Sequence, residues 1–513
     1  MTAALTESLA ELVSSAGRRW PGDIAIALGS RKLTYGQLDR AGARVAADLQ
    51  DRGLQPGDAV AVIAGTGLEF PVLAYGVLRA GGVLLPISPD SPPREVAALL
   101  KAAQAELVLS DTENAATATA GAALYDPGCG VVTLDGTAAR TRGDVQALKK
   151  LVDGHQTPAP PARIPAGSPA VIMFTSGSTA RPKGVVHSHE GLLKNAQCVA
   201  YEMAGLTRKD VLLGALPLAH SFGLSAVLNT SLLVGARLEL LPQFDALAVW
   251  KAVQTKGITV LTGVPTMYRR IAELREANRN SDLRLAIVSG AACPREVARD
   301  VRLRLGIPLV ERYGMTEASP LTWRQVEDDT ADGDVGWPGW GVRVRVVNDR
   351  GGPVPAGTAG EVEVQSPGML LRYLASADNR EAFHDGWLRT GDLGSTRADG
   401  GLTLQSRIKE VILRGGYTIS AREVEAVIEQ HPAVAEAAVV GLPDEDMGED
   451  IAAMVVLRTG RRTEPAELWR FVGERLATWK RPRRWRIVAQ IPRTSLGKIK
   501  REEIVSGWAK PGS

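Results

Sequence analysis

Residues 174–184 read FTSGSTARPKG. Thr175, Ser176, Gly177, Ser178 and Thr179 put hydroxyls and backbone N–H groups into one short turn, and Lys183 adds a point charge. Such a turn after a strand can wrap phosphate oxygens. The order is wrong for the common triphosphatase loop, G-x-x-x-x-G-K-[S/T]: Lys183 precedes Gly184, Pro182 interrupts and Val185 follows. A ligand-free Ser/Gly surface loop is the competing reading of this stretch taken alone. Three other stretches carry groups of a matching kind. ERYGMTEAS (311–319) clusters Tyr313, Gly314, Thr316 and Glu317. They supply a ring able to stack on a base, a hydroxyl able to meet phosphate, and a carboxylate able to hold Mg2+ that also touches phosphate. WLRTGDLG (387–394) sets Asp392 after a Thr-Gly turn, where a carboxylate can accept from ribose hydroxyls. PRTSLGKIKR (492–501) ends with Lys498 in a Gly-Lys turn, which with KRPRRWRI also reads as a solvated basic tail.

Elements of alternating type must hold these groups. Apolar runs at 59–65, 82–88, 106–111, 170–176, 210–218, 258–264 and 283–290 read as buried strands, separated by helix patterns such as SPPREVAALLKAAQ and LAVWKAVQTKG. That alternation predicts an α/β fold of doubly wound layers. VRVRVVN and EVEVQSP predict a β-rich subdomain between about 335 and 405. AREVEAVIEQH, VAEAAVVGLP, AAMVVLRTG and AELWRFVGERLATW predict a small α+β C-terminal domain. The expected division is a core at 1–405, a hinge at 406–409 and a mobile C-terminal domain at 410–513. The chain has 513 residues, too many for one core, and its net charge of +3 gives no global pull toward nucleic acid or an anionic membrane. Three scattered cysteines form neither a disulfide framework nor a metal cluster, which fits a reduced cytoplasmic setting. The N-terminus reads as an amphipathic helix, and no apolar run is long enough to predict a membrane span.

The four stretches, in this order, resemble the adenylate-forming superfamily in its acyl-CoA synthetase branch. The resemblance implies ATP-dependent conversion of a carboxylic acid to an acyl-adenylate, then transfer to coenzyme A, with ATP, Mg2+ and CoA as cofactors. It assigns Thr175 to Thr179, with Lys183, to the β- and γ-phosphates of ATP. Tyr313, beside Gly314, becomes the adenine-stacking residue, Thr316 the α-phosphate contact and Glu317 the Mg2+ ligand. Asp392 becomes the ribose carboxylate and Arg407 the arginine that contacts the nucleotide. Lys409 becomes the hinge, Lys498 the catalytic lysine, and Gly415 and Gly416 the close backbone approach for a pantetheine arm. The chemistry needs such groups: a carboxylate must meet the α-phosphorus of ATP, so positioned cations offset two anions.

The same resemblance draws LPLAHSFGL (216–224), LTGVPTMYRR (261–270) and VSGAACP (288–294) around the acid. His220 resembles the guard of the thiol entrance, with a polar turn as the alternative. Ser221, Phe222, Val264, Thr266, Met267, Gly290 and Met315 line the expected pocket, and Ala291 and Ala292 border it on the nucleotide side. The lining is mainly apolar and favours an aliphatic or aromatic monocarboxylate. No Asp offers itself to an α-amino group, which argues against an amino acid. GVPTMYRR and ERYGMTE also resemble malonyl-CoA synthetases. There Arg270 is the candidate for a second carboxylate, although Arg269 and Arg270 also read as solvated helix residues. Ala180 stands where the family usually has Gly, Ser406 where Gly or Asp is common, and Trp337 and Trp340 make GWPGWG unusual. Trp479 and Trp485 read as packed against the small domain, and the basic strip nearby reads as a contact for the phosphates of CoA. Expected partners are the acid, ATP and CoA, with a carrier-protein thiol or another nucleophile as alternative acceptor. No nucleic acid is expected, and the chain is expected to be a monomer or homodimer.

Overall fold

A computed structural model describes residues 8–134, 160–175, 182–274, 282–327, 331, 333–408, 411–414, 417–444, 447–476, 478–494 and 497–508. The chain divides into two compact units, one of residues 1–330, 335–343 and 365–386, the other of 331–334, 344–364 and 387–513. This grouping attaches the β-rich segment to the C-terminal fold. The boundary expected near 405–410 remains our proposal.

Helix α1 (Leu9–Arg19) opens the first unit, with the Ser8 hydroxyl accepting from the Ala10 N–H. Its strands are β1 (Ile24–Leu28), β2 (Arg31–Thr34), β3 (Ala59–Ile63), β4 (Val83–Ile87), β5 (Leu107–Ser110), β6 (Gly130–Thr133), β7 (Pro169–Thr175), β8 (Lys183–Ser188), β9 (Val211–Gly214), β10 (Arg237–Leu240), β11 (Val260–Gly263), β12 (Leu285–Val288), β13 (Leu309–Met315), β14 (Ala318–Gln325) and β15 (Trp337–Pro338). Each of the seven apolar runs read from sequence overlaps one of these strands. Among the described residues they build two sheets. One has the order β15-β14-β13-β12-β11-β9-β10-β1-β2 and the other contains β8-β7-β4-β3-β5-β6. Parallel pairing through the middle of both sheets explains the continuous Val/Ile/Leu runs, since helices cover both faces. Helix α2 (Tyr35–Asp51) starts on a capping box of Thr34 and Gln37. Helix α3 (Glu69–Ala80) is buried along its whole length. The core includes Trp250, Tyr35, Tyr268 and Phe70, each worth roughly 1.5–3 kcal/mol of burial. The buried phenol of Tyr35 donates to the Ala236 carbonyl at 2.7 Å.

In the second unit, β16 (Arg343–Val347), β17 (Gly360–Gln365), β20 (Trp387–Thr396) and β21 (Leu402–Arg407) form one antiparallel sheet. The short strands β18 (Arg372–Tyr373) and β19 (Phe383–His384), which precede β20 in the chain, belong to the first unit, where β18 joins β8. The C-terminal fold has β22 (Val411–Arg414), β23 (Tyr417–Ser420), β24 (Val434–Asp444), β25 (Gly448–Leu457) and β26 (Arg484–Val488). The helix Ala421–Glu429 starts at Ser420, whose hydroxyl accepts from the Glu423 N–H. None of the described helices is long and apolar enough to cross a membrane.

Two local expectations need correction. Thr390 and Gly391 do not form a free turn: they lie inside β20, where Gly391 takes a φ of +70° and lets the strand kink before Asp392. Trp479 is 40% exposed, not packed, because it sits on the short helical turn Thr478–Lys480. Trp485 is partly buried on β26 and donates to the Pro482 carbonyl at 3.0 Å.

Candidate active site

Two hairpins and one short strand assemble the candidate residues of the first unit. In the β7–β8 hairpin Thr175 faces Lys183 and Phe174 faces Gly184. Ser176, Gly177, Ser178, Thr179 and Ala180, which join these strands, lie outside the described residues. Strand β18 lies along β8, with Tyr373 opposite Val185. A side chain at Gly184 would overlap Leu374 and press on Phe174, so glycine is what lets β18 close on this hairpin. Lys183 pairs with Asp378 at 3.3 Å and stands 5.5 Å from the centre of the Tyr373 ring.

The β13–β14 hairpin pairs Met315 with Ala318. Thr316 and Glu317 are therefore its two-residue tip. A Cβ at Gly314 would meet the Ser319 hydroxyl at 2.7 Å, so glycine is required for the chain to fold back this tightly. The tip is clamped from two sides. His187 on β8 donates from Nε2 to the Thr316 carbonyl at 2.8 Å, and the Leu370 N–H donates to the Glu317 carbonyl at 2.7 Å. Burial holds the His187 imidazole down at about 4, partly offset by that backbone bond. It is neutral at physiological pH, which leaves Nε2–H as the donor.

Glu317 is 8% exposed, and its Oε1 accepts from the Tyr373 phenol at 2.9 Å. Among the described residues no Lys or Arg pairs with this carboxylate. Burial first, then the Glu317 charge, push the Tyr373 phenol well above its ordinary range, so it stays a donor. A buried carboxylate held by one hydroxyl and no protein cation fits Mg2+, which binds through one or two carboxylates and completes its shell with substrate phosphates and water.

The acid-pocket candidates fall into two groups. Ser221 brings its hydroxyl to 3.4 Å from that of Thr316. Phe222 opens a helical segment, Phe222–Asn229, and its half-buried ring lies 4.6 Å from the Arg312 guanidinium. His220, Tyr313 and Met315 are likewise half-buried. Val264 approaches Gly290, whose φ is +88°, and a Cβ at Gly290 would sit 3.4 Å from Val264 Cγ1. Ala291 and Ala292 are exposed on the loop that follows. Met267 is 8% exposed, beside Gly263 and lining a small cavity with Thr262, Tyr268 and Ile271, while Thr266 is half-buried on the same helix, Pro265–Ala272. Arg270 is exposed on that helix.

In the second unit, Asp392 on β20 and Arg407 on β21 are register partners, and Arg407 Nε meets Asp392 Oδ1 at 2.9 Å. The Asp392 carboxylate is buried and the guanidinium is half exposed. Lys498 is exposed in a tight hairpin loop: its N–H donates to the Thr494 hydroxyl at 3.2 Å, and its carbonyl accepts from the Thr494 N–H at 2.8 Å. Lys409, Gly415 and Gly416 lie outside the described residues.

Sequence reasoning missed Tyr373, His187 and Arg312. RYLAS and VVHSHE contain no recognisable phosphate or carboxylate pattern. His187 lies in β8, where every residue from Gly184 to Ser188 is buried, so no in-and-out alternation marks its ring.

A family model described as AMP-binding enzyme matches residues 13–374, and a second, the AMP-binding enzyme C-terminal domain, matches 423–498. A sulfoacetate–CoA ligase from Cupriavidus necator is 32% identical over 506 residues, covering 98% of each chain. A feruloyl-CoA synthase from an Amycolatopsis species is 32% identical, covering 95% of this chain and 96% of its own. The ATP-bound crystal structure of MatB from Rhodopseudomonas palustris superposes with a TM-score of 0.89 at 30% identity, covering 97% of this chain and 99% of that one. Matched over almost its whole length by these relatives, the chain belongs to the AMP-binding, adenylate-forming enzymes, in the acyl-CoA synthetase branch.

Proposed function

We propose that Thr316, Glu317, Asp392 and Lys498 divide the work of an AMP-forming acid–thiol ligase. The chain uses ATP, Mg2+ and CoA: a carboxylic acid becomes an acyl-adenylate, and the acyl group passes to the CoA thiol. The observation that carries our assignment is the buried Glu317 carboxylate, held by the Tyr373 phenol with no described cation beside it. Mg2+ at this carboxylate would neutralise charge on the phosphates of ATP. Thr316, its carbonyl fixed by His187, would offer its hydroxyl to the α-phosphate. Asp392 would accept from the ribose hydroxyls, with Arg407 beside it. Thr175 and Lys183, register partners on β7 and β8, would meet the departing pyrophosphate.

Lys498 would bridge the acid and the α-phosphate as charge shifts between them. Adenylation and thioester formation at one site require a moving part, which we assign to residues 410–513 about Lys409. His220 and the Gly415–Gly416 pair would then serve the thiol. The half-buried Phe222, Val264 and Met315 favour an aliphatic or aromatic tail on the acid. The deciding experiment is acid-dependent ATP–pyrophosphate exchange over a panel of carboxylic acids, repeated with CoA and thioester detection. Exchange without any thioester would move the acceptor to a carrier protein or a non-thiol nucleophile. Absence of exchange with every acid would sink the reading.

A further inference from the structure

Arg312 is the neighbour of Tyr313 on β13, and it is 6% exposed. Its guanidinium Nη2 donates to the Ser319 hydroxyl at 2.5 Å, its Nε approaches the Ser289 hydroxyl at 3.3 Å, and its carbon lies 4.6 Å from the centre of the Phe222 ring. These partners are all neutral. Cys198 lies nearby, but burial first, and then Glu202, push its thiol up to about 12, so it supplies no negative charge at physiological pH. Among the described residues no carboxylate pairs with Arg312.

Two other deeply buried arginines of this fold are treated differently. Arg414 pairs with Asp450 at 3.1 Å, and Arg324 approaches Glu311 at 3.7 Å, all four side chains being 3–7% exposed. Burying an ion without a counter-charge is costly, and folds normally arrange the partner themselves. The cost falls on Arg312 visibly, since burial lowers its guanidinium to about 10. A protonated, forked donor with fixed serine supports and an aromatic face is well suited to recognise a carboxylate or sulfonate. It also sits against Phe222, the ring expected to line the acid pocket, and on the strand that leads to Thr316 and Glu317.

We propose that Arg312 receives a second anionic group, a carboxylate or sulfonate, at the far end of the acid that the enzyme activates. This rests on the acid–thiol ligase reading above, and it replaces the purely apolar tail that Phe222, Val264 and Met315 suggest by themselves. It also moves the dicarboxylate alternative from Arg270, which is exposed, to Arg312. Phe222 and the guanidinium then act together: the ring orders the fork, and the fork rejects a tail that leaves it unpaired.

The test compares length-matched acids with and without a charged tail: malonate against propionate, succinate against butyrate, and sulfoacetate and phosphonoacetate against propionate. The readout is kcat/KM in acid-dependent pyrophosphate exchange. The wild-type enzyme should favour at least one charged-tail acid over its neutral partner by roughly 10-fold or more, and the winning arm identifies the tail chemistry. Arg312→Gln should reduce that ratio by about 10²-fold, chiefly through KM, as expected when one partner of a buried charge pair is removed. Arg312→Lys should fall between the two. Should Arg312→Gln fail to fold, the wild-type ratios and Arg312→Lys still decide. Exchange with the neutral acids and none with the charged ones overturns the assignment and leaves the ligase reading standing. An undiminished ratio in folded Arg312→Gln also overturns it. Exchange with no acid at all overturns both.

Discussion

Tyr373→Phe removes one oxygen and keeps the ring that lies near Lys183 and pairs in register with β8. The loss falls on Glu317 Oε1, 2.9 Å away, in a pair whose members are 4% and 8% exposed. A hydrogen bond to a charged group contributes about 1.5–3 kcal/mol net, and a buried acceptor left short of a donor costs a similar amount. At about 1.4 kcal/mol per tenfold, that is roughly a 10- to 100-fold effect. With the carboxylate as the Mg2+ ligand, the effect should appear as a higher free-Mg2+ midpoint in acid-dependent pyrophosphate exchange, with a lower plateau rate. Burial and the neighbouring charge keep the phenol protonated throughout the working range, so the shift should be the same from about pH 6 to 9. A folded Tyr373→Phe enzyme with the wild-type Mg2+ midpoint and rate would refute both the positioning argument and Glu317 as the ligand.

Lys498→Ala should lose about 10²–10³-fold in pyrophosphate exchange yet still convert supplied acyl-adenylate to thioester; equal loss in both half-reactions would count against the role of Lys498. Asp392→Asn should raise the KM for ATP about 10- to 100-fold, the worth of a charged hydrogen bond, and ATP saturation curves in the exchange assay check this. His187 and His189 are both buried, and burial holds each down at about 4 against an ordinary 6.5. Between those values the unfolded chain binds more protons than the folded one, so stability is full above pH 6.5 and falls as the pH drops toward 4. The loss is on the order of 3 kcal/mol for each ring. Denaturant midpoints measured at pH 7 and 5 should show it, and His189→Leu should flatten the slope; an unchanged slope would refute the assignment.

The layered fold was legible because its strands are buried on both faces. Runs such as AVAVI and LAIV cannot serve an exposed helix, and the helix patterns between them force parallel crossovers. The chemical residues near Thr316 were legible for a different reason: a base, a phosphate and a metal each demand a particular side chain in a short turn. The supports were not. Tyr373 reaches Glu317 across 56 positions of sequence and His187 reaches Thr316 across 129, and nothing local to RYLAS or VVHSHE points to a partner that distant.

Glu317 and Arg312 make the same physical point with opposite signs. Both are buried, they stand five positions apart around one hairpin tip, and neither has a counter-ion among the described residues. A fold that pairs Arg414 with Asp450 had the means to neutralise both. Each is instead steadied by neutral hydroxyls: Tyr373 for the carboxylate, Ser289 and Ser319 for the guanidinium. Hydroxyls fix geometry without cancelling charge, so each group keeps its full field for whatever arrives. Mg2+ answers the carboxylate. An apolar tail cannot answer the guanidinium, because it would bury the cation further and return no hydrogen bond. The same argument that makes Glu317 a metal ligand therefore makes a neutral-tailed acid the poorer substrate.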